Sequence, residues 1–168
     1  LYGSNTLATR LKDGSEIQLT QQSNYPWEGQ VQIKMQKASA KPFSLYLRIP
    51  GWCKKASIKI NGKPANVSIK PEQYAVINRS CATGHVVTLD LHMPVTLIES
   101  HPLVEETRNQ VAVKREPVVY CVESADFPKG VDVFSIEIPV KNNVQPKKIK
   151  IDNGNLLSLE GTAYLEEQ

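Results

Sequence analysis

Carboxylates, imidazoles, thiols and aromatic rings are the groups in this chain that could do chemistry, and their spacing limits what that chemistry is. Cleaving a glycosidic bond commonly takes two carboxyl groups held roughly 5 to 10 Å apart. Glu105 and Glu106 are adjacent, so in an extended segment they point to opposite faces and cannot form that pair. Glu99 converges on them only through the turn at His101-Pro102, and solvated carboxylates on a connector account for the same residues. His85, His92 and His101 stand singly, and Cys53, Cys81 and Cys121 are far apart, so neither set has the spacing of a metal site or a disulfide framework. No Gly-x-Ser-x-Gly turn and no glycine-rich phosphate loop occurs. Cys53 and Cys121 lie in or beside apolar segments, where a thiol is ordinarily inert. The expectation is therefore no catalytic residue and no metal ligand in this chain. Arg108 and Arg115 bracket a strand within reach of Glu105, Glu106 and Glu116, an arrangement that reads as structural. Tyr25, Trp27 and Trp52 carry the one binding expectation, because aromatic faces stack on sugar rings and loops at sandwich ends carry binding residues. Against it, such rings at strand ends also cover the rim of a core.

The elements that position these groups are strands. The stretch from Phe43 to Ile69 organises the first part of the chain. Phe43, Leu45, Leu47 and Ile49 alternate with Ser44, Tyr46 and Arg48, which makes one face of an extended segment apolar. Pro50-Gly51 ends that strand, and Trp52 caps the sandwich edge. Ile58 and Ile60 resume the alternation up to Asn61-Gly62, a hairpin signal that predicts a returning strand through Val67 and Ile69. Before this stretch, Leu7–Leu11 and Glu16–Gln22 flank Asp13-Gly14, with Ile17 and Leu19 pointing inward. A loop, Asn24-Tyr25-Pro26-Trp27-Glu28-Gly29, leads to a strand over Gln30–Lys37. After it, Tyr74–Asn78, His85–Leu91 and Val95–Ser100 read as strands, with Val87, Leu89 and Leu91 inward. About nine strands to this point are enough for a two-layer sandwich.

From His101 the pattern changes, and a domain boundary is expected there. Gln110–Arg115 and Pro117–Glu123 form a predicted hairpin, and the apolar run Val118-Val119-Tyr120-Cys121-Val122 suggests burial on both faces. Phe134–Ile138, Lys148–Ile151 and Leu156–Leu165 supply further strands, with a break at Asp152-Asn153-Gly154. The resulting picture is all-β: two jelly-roll-like β-sandwich units, residues 1–100 and a smaller 101–168, the second expected to be truncated at its C-terminal end. So few residues make a poor independent core, and an unpaired edge left there could meet another copy of the chain.

Composition narrows the partners. With 168 residues and 40% apolar side chains the chain is long enough to fold. The net charge of +3 is too small to suggest nucleic acid. The first 100 residues hold 12 basic against 6 acidic residues and the remainder 8 against 11, consistent with two units whose surfaces differ. No run approaches the roughly 20 apolar residues of a membrane span. The absence of a starting methionine and of a signal core suggests a piece of a longer protein. Periplasmic, secreted and cytoplasmic locations are all compatible with the sequence.

Taken together, Asn24-Tyr25-Pro26-Trp27-Glu28-Gly29, Leu47-Arg48-Ile49-Pro50-Gly51-Trp52, Ile60-Asn61-Gly62, Met93-Pro94-Val95, His101-Pro102, Glu105, Arg108, Val111-Ala112-Val113 and Arg115-x-Pro117-x-Val119-Tyr120-Cys121-x-Glu123 resemble a region of glycoside hydrolase family 127, typified by bacterial β-L-arabinofuranosidases. The likeness covers about residues 1–125 in order and spacing. It implies the two β-sandwich units that follow an (α/α)6 catalytic barrel bearing a cysteine nucleophile, an acidic acid/base residue and zinc bound by cysteines and a glutamate. The family's nucleophile and its neighbouring zinc-ligand cysteine fall upstream of Leu1, so Cys53, Cys81 and Cys121 are not their counterparts. The family's second sandwich also continues past Gln168. The resemblance thus implies a catalytically silent accessory region with no cofactor of its own, whose partner is the barrel. The alternative reading is a carbohydrate-binding module using Tyr25, Trp27 and Trp52.

Overall fold

A computed structural model describes residues 2–141, 144–151 and 154–165. The chain divides into two compact units, Leu1–Met93 and Pro94–Gln168, and secondary structure is nearly all β, as the alternation requires.

The first unit holds eight strands: β1 (Asn5–Arg10), β2 (Glu16–Ser23), β3 (Gln30–Lys37), β4 (Phe43–Arg48), β5 (Ala56–Ile60), β6 (Lys63–Pro64), β7 (Tyr74–Arg79) and β8 (Val86–Leu91). Six of them form one antiparallel sheet in the order β1-β2-β3-β8-β5-β6, and β4 pairs with β7 in a second sheet. Inward positions of both sheets supply one core. Val31, Ile33 and Met35 of β3, Val87 and Leu89 of β8 and Ile58 of β5 meet Leu47 of β4 and Ala75 and Ile77 of β7. Each large aliphatic group so buried contributes on the order of 1.5–3 kcal/mol. The period-2 pattern of β3 is complete, its odd-numbered apolar residues from Val31 to Met35 buried and its even-numbered neighbours exposed. β1 lies at the sheet edge with all of its residues exposed, held by its ladder with β2 from Asn5↔Gln21 to Arg10↔Glu16, and at one end Glu16 accepts from Arg10 at 2.9 Å and from Lys37 at 2.6 Å.

The hairpin return after β5 departs from expectation. Asn61 and Gly62 adopt positive φ, 49° and 78°, the geometry that a tight two-residue turn requires, and the Asn61 side chain accepts from Val86 N–H at 2.8 Å. The returning strand, however, is only Lys63–Pro64. Pro64 has no N–H to give to a ladder, and the chain leaves the sheet. Ala65 makes one last bond to the sheet, its N–H donating to the Ile58 carbonyl at 2.9 Å, and beyond it Val67 and Ile69 still alternate inward, half-buried against the core, so their period reports packing and not pairing.

The second unit contains β9 (Val95–Glu99), β10 (Val111–Arg115), β11 (Val118–Tyr120), β12 (Ile136–Glu137), β13 (Gln145–Ile151), β14 (Gly154–Glu160) and β15 (Tyr164–Leu165). These form a three-stranded sheet β11-β10-β9 and the pairs β12-β15 and β13-β14. Because β9 pairs along its whole length with β10, from Val95↔Arg115 to Glu99↔Val111, it belongs to the second unit. The division thus falls between Met93 and Pro94 and not near residue 100. Two further expectations are corrected here. The apolar run after Pro117 is not buried on both faces: β11 is at the edge of its described sheet with Val119 60% exposed, and Val122, beyond the strand, is 52% exposed. Phe134–Ile138 is not one strand, because the Asp132 side chain accepts from Phe134 N–H at 3.0 Å and caps a single 3-10 turn, Val133–Ser135, before the two-residue β12. The expected break at Asp152-Asn153 lies outside the described residues. None of the described residues of this unit is fully buried.

Candidate functional site

Four connections meet at one end of the first unit, and two of them carry the aromatic residues singled out above. Loop 24–29 joins β2 to β3, and residues 49–55 join β4 to β5. Both are tied to the far ends of other strands by main-chain bonds: Leu91 N–H donates to Gly29 at 2.9 Å, His92 N–H to Lys55 at 3.0 Å, and Ile49 N–H to Gln73 at 2.8 Å. Gly29 is required for this approach, since a Cβ there would stand 1.9 Å from the Leu91 carbonyl oxygen.

Within this end, Tyr25 is half-buried and meets the Tyr2 ring edge to face, with centroids 6.1 Å apart. Tyr2 itself is buried, and its hydroxyl donates to the Arg48 carbonyl. Burial pushes the Tyr2 pKa up to about 12. Trp52 is half-buried and packs on the core. Trp27 is 39% exposed, with its backbone N–H donating to the Asn24 carbonyl at 2.9 Å to close the loop. The structure therefore brings Tyr25 and Trp52 to one end of the unit and commits much of each ring to packing, while Trp27 keeps the larger exposed surface.

The groups weighed for catalysis remain dispersed. Glu105 and Glu106 sit in a single exposed 3-10 turn, Glu105–Thr107, in place of an extended segment. Arg108 pairs with Glu105 at 3.6 Å, and Lys114 takes Glu116 at 2.8 Å. His85 and His101 each use Nδ1 to accept a nearby backbone N–H, from Ala82 and Leu103 respectively. The Cys53 thiol donates to the Lys55 carbonyl at 3.0 Å, and burial pushes its pKa and that of Cys81 upward. Cys121 is exposed in the other unit. Among the described residues no three His, Cys, Asp or Glu side chains gather to hold a metal ion.

One cluster was missed by sequence reasoning. On the outer face of the β4-β7 sheet, Tyr46 and Tyr74 are 60% and 59% exposed and meet edge to face with centroids 6.3 Å apart, while the Arg48 guanidinium lies 5.7 Å from the Tyr74 ring centre. The register places Arg48 opposite Tyr74 and Tyr46 opposite Val76. The available signal was the outward half of the Phe43–Arg48 alternation, which carries an aromatic and a cation where a solvated strand more often carries small polar residues.

Comparison with known proteins gives this arrangement a family. Residues 1–93 match the model described as "Beta-L-arabinofuranosidase, GH127 middle domain", and residues 95–162 match the "Glycoside hydrolase family 127 C-terminal domain". The chain belongs to glycoside hydrolase family 127. The junction of the two family 127 models coincides with the structural division at Met93 and Pro94. A relative, the non-reducing end beta-L-arabinofuranosidase of Bifidobacterium longum subsp. longum, is 35% identical over 127 residues, which is 73% of this chain and 19% of that protein. A solved glycoside hydrolase superposes over 100% of this chain and 28% of its own, at 46% identity and a TM-score of 0.90. Ara127N-Se, a GH127 beta-L-arabinofuranosidase from Geobacillus stearothermophilus T6, superposes over 97% of this chain and 25% of its own, at 33% identity and a TM-score of 0.84. The chain thus spans less than a third of the length of each of these family 127 relatives.

Proposed function

We propose that these two units are a non-catalytic scaffold that braces the catalytic barrel of a β-L-arabinofuranosidase-like glycoside hydrolase. The observation that carries this reading is the match of both units to a middle and a C-terminal domain of family 127, in a chain matching 19–28% of the length of its relatives. The scatter of the acidic, imidazole and thiol groups supports it. The zinc ion and cysteine nucleophile that the family resemblance implies belong, on this reading, to the barrel. Bracing acts through a stable platform: the first unit presents a closed core, and rigid loops at its end are fixed by main-chain bonds.

The test uses the longer protein. Deleting the region equivalent to residues 1–168 is expected to lower the barrel's melting temperature by several degrees and to leave it aggregation-prone. A barrel that keeps both its melting temperature and its kcat/KM without the region overturns the proposal. A second reading, sugar contact through Trp27 with Tyr25 and Trp52, rests on the exposed surface of the Trp27 indole. Titrating tryptophan emission with arabino-oligosaccharides decides it, an unchanged spectrum at millimolar sugar counting against it. The third role, contact between subunits through a sheet edge, predicts a mass above one copy at high concentration.

A further inference from the structure

The turn between β5 and β6 holds a reactive dipeptide that none of the roles described above uses. Asn61 and Gly62 are exposed, with φ at 49° and 78°, and a Cβ on Gly62 would meet nothing within 4 Å, so water reaches both residues. The other asparagines of the first unit, Asn5, Asn24, Asn66 and Asn78, precede Thr6, Tyr25, Val67 and Arg79, whose side chains crowd the amide nitrogen that follows the asparagine. Gly62 has no side chain to do so, and its N–H has no hydrogen-bond partner among the described residues. The Asn61 amide, by contrast, is fixed at one atom: Oδ1 accepts from Val86 N–H at 2.8 Å. A donor at that oxygen stabilises the oxyanion that forms there when a nucleophile adds to Cγ. Asn61 is also the hook of the hairpin. Its own N–H donates to the Val86 carbonyl at 2.8 Å, Ile60 pairs with Lys63 across the turn, and Ala65 N–H reaches the Ile58 carbonyl at 2.9 Å.

We infer that Asn61 is a site of covalent modification, where spontaneous deamidation yields an aspartyl form that keeps the β5-β6 hairpin and an isoaspartyl form that releases it. Hydroxide takes the Gly62 amide proton, and the Gly62 nitrogen bonds to Asn61 Cγ while charge collects on Oδ1 beside Val86 N–H. The Cγ–Nδ2 bond then breaks, and Nδ2 takes a proton from water and leaves as ammonia. Water adds to either carbonyl of the resulting cyclic imide, so the conversion consumes water, releases ammonia and involves no oxidation. Opening at Cγ gives an aspartate whose carboxylate still accepts from Val86 N–H, in a turn flanked by the exposed Lys59 and Lys63. Opening at the main-chain carbonyl routes the backbone through Cβ and Cγ instead. That extra carbon lengthens a two-residue turn whose pair of positive φ angles sets the strand register, so the Ile60↔Lys63 pair and the Ala65 bond are lost. Val67 and Ile69, half-buried against the core, then lose the bond that anchors the start of their segment.

Holding the longer protein in mildly alkaline buffer, folded and in urea, tests this by peptide mass spectrometry. In the folded protein Asn61 is expected to convert to the acid ahead of Asn5, Asn24, Asn66 and Asn78, with an isoaspartyl share that an isoaspartyl methyltransferase labels. An Asn61 amide still intact in the folded protein when the urea-unfolded protein has lost it overturns the inference. So does a folded protein that yields the aspartyl product alone. Amide hydrogen exchange reads the consequence. Ala65 is expected to exchange roughly tenfold faster in the isoaspartyl form than in the untreated protein, and Asn61→Asp is expected to leave its rate unchanged. Faster exchange in Asn61→Asp assigns the release to the new charge and overturns the hairpin account, as does an isoaspartyl form whose Ala65 exchanges at the untreated rate.

Discussion

The two units share strand content and antiparallel pairing, yet among the described residues buried side chains gather in the first unit alone. In Leu1–Met93 the inward faces of two sheets meet, and residues such as Val31, Met35, Val87 and Leu89 are fully buried. In Pro94–Gln168 the described strands form three small sheets, and large apolar side chains stay in solvent: Leu103 is 84%, Phe134 80% and Val140 90% exposed. Ladders alone satisfy the backbone. Stability in water comes from closing one apolar face on another, so the first unit should govern the energetics of this chain and the second should tolerate change.

The largest expected effect that tests this contrast is at Leu89, on the central strand β8 between β3 and β5. Leu89→Ala is expected to cost about 3 kcal/mol or more, read as a lower denaturant midpoint, whereas Val119→Ala on β11 should stay within about 0.5 kcal/mol. Similar costs at the two sites would erase the contrast. Gly29→Ala should come close to the first of these, about 2–3 kcal/mol, because the new methyl meets the Leu91 carbonyl. Unchanged urea unfolding would mean that the sandwich end is looser than its bonds indicate.

Alkaline pH sharpens the contrast further. Tyr2 ionises at about 12 in the folded chain, against an ordinary value near 10, so the unfolded chain loses this proton first. Its contribution is complete below pH 10 and is lost as pH rises from 10 towards 12. Wild-type stability should fall more steeply across that window than that of Tyr2→Phe, and parallel curves would refute the assignment. A thiol reagent should label Cys121 rapidly in the native chain and reach Cys53 and Cys81 only on unfolding. Rapid labelling of all three thiols would show that the first core is open. The smallest effect belongs to Glu16→Gln, in the exposed cluster with Arg10 and Lys37, where the denaturant midpoint should hardly move.

Much of the first unit was legible because its alternation and its layers agree. The inward set of β2, β3 and β8 could be read residue by residue, since a one-residue slip in any of them would expose the whole set. The errors share a cause: apolar period records which side chains seek cover and not what provides it. Val67 and Ile69 find cover without a ladder, and Val118 to Val122 have an apolar run but an edge position. β9 follows the first unit in sequence but pairs with β10, and nothing in its own residues names that partner. Phe134 was lost to a local competitor, the side-chain cap from Asp132. At the candidate site, the loop aromatics were legible as residue types. The packing of Tyr25 depends on Tyr2, which lies far away in sequence.

Beyond Ala65, whose N–H still reaches the Ile58 carbonyl, the stretch Val67 to Ile69 lies against the core outside the described ladders, which makes it the natural first point of proteolytic nicking in the first unit. Lys63 and Lys70 flank it, and each stands immediately before a proline, Pro64 and Pro71. Trypsin, which cleaves poorly before proline, should pass over this weak point, while thermolysin, cutting beside Val67 and Ile69, should sever it and leave both sheets standing.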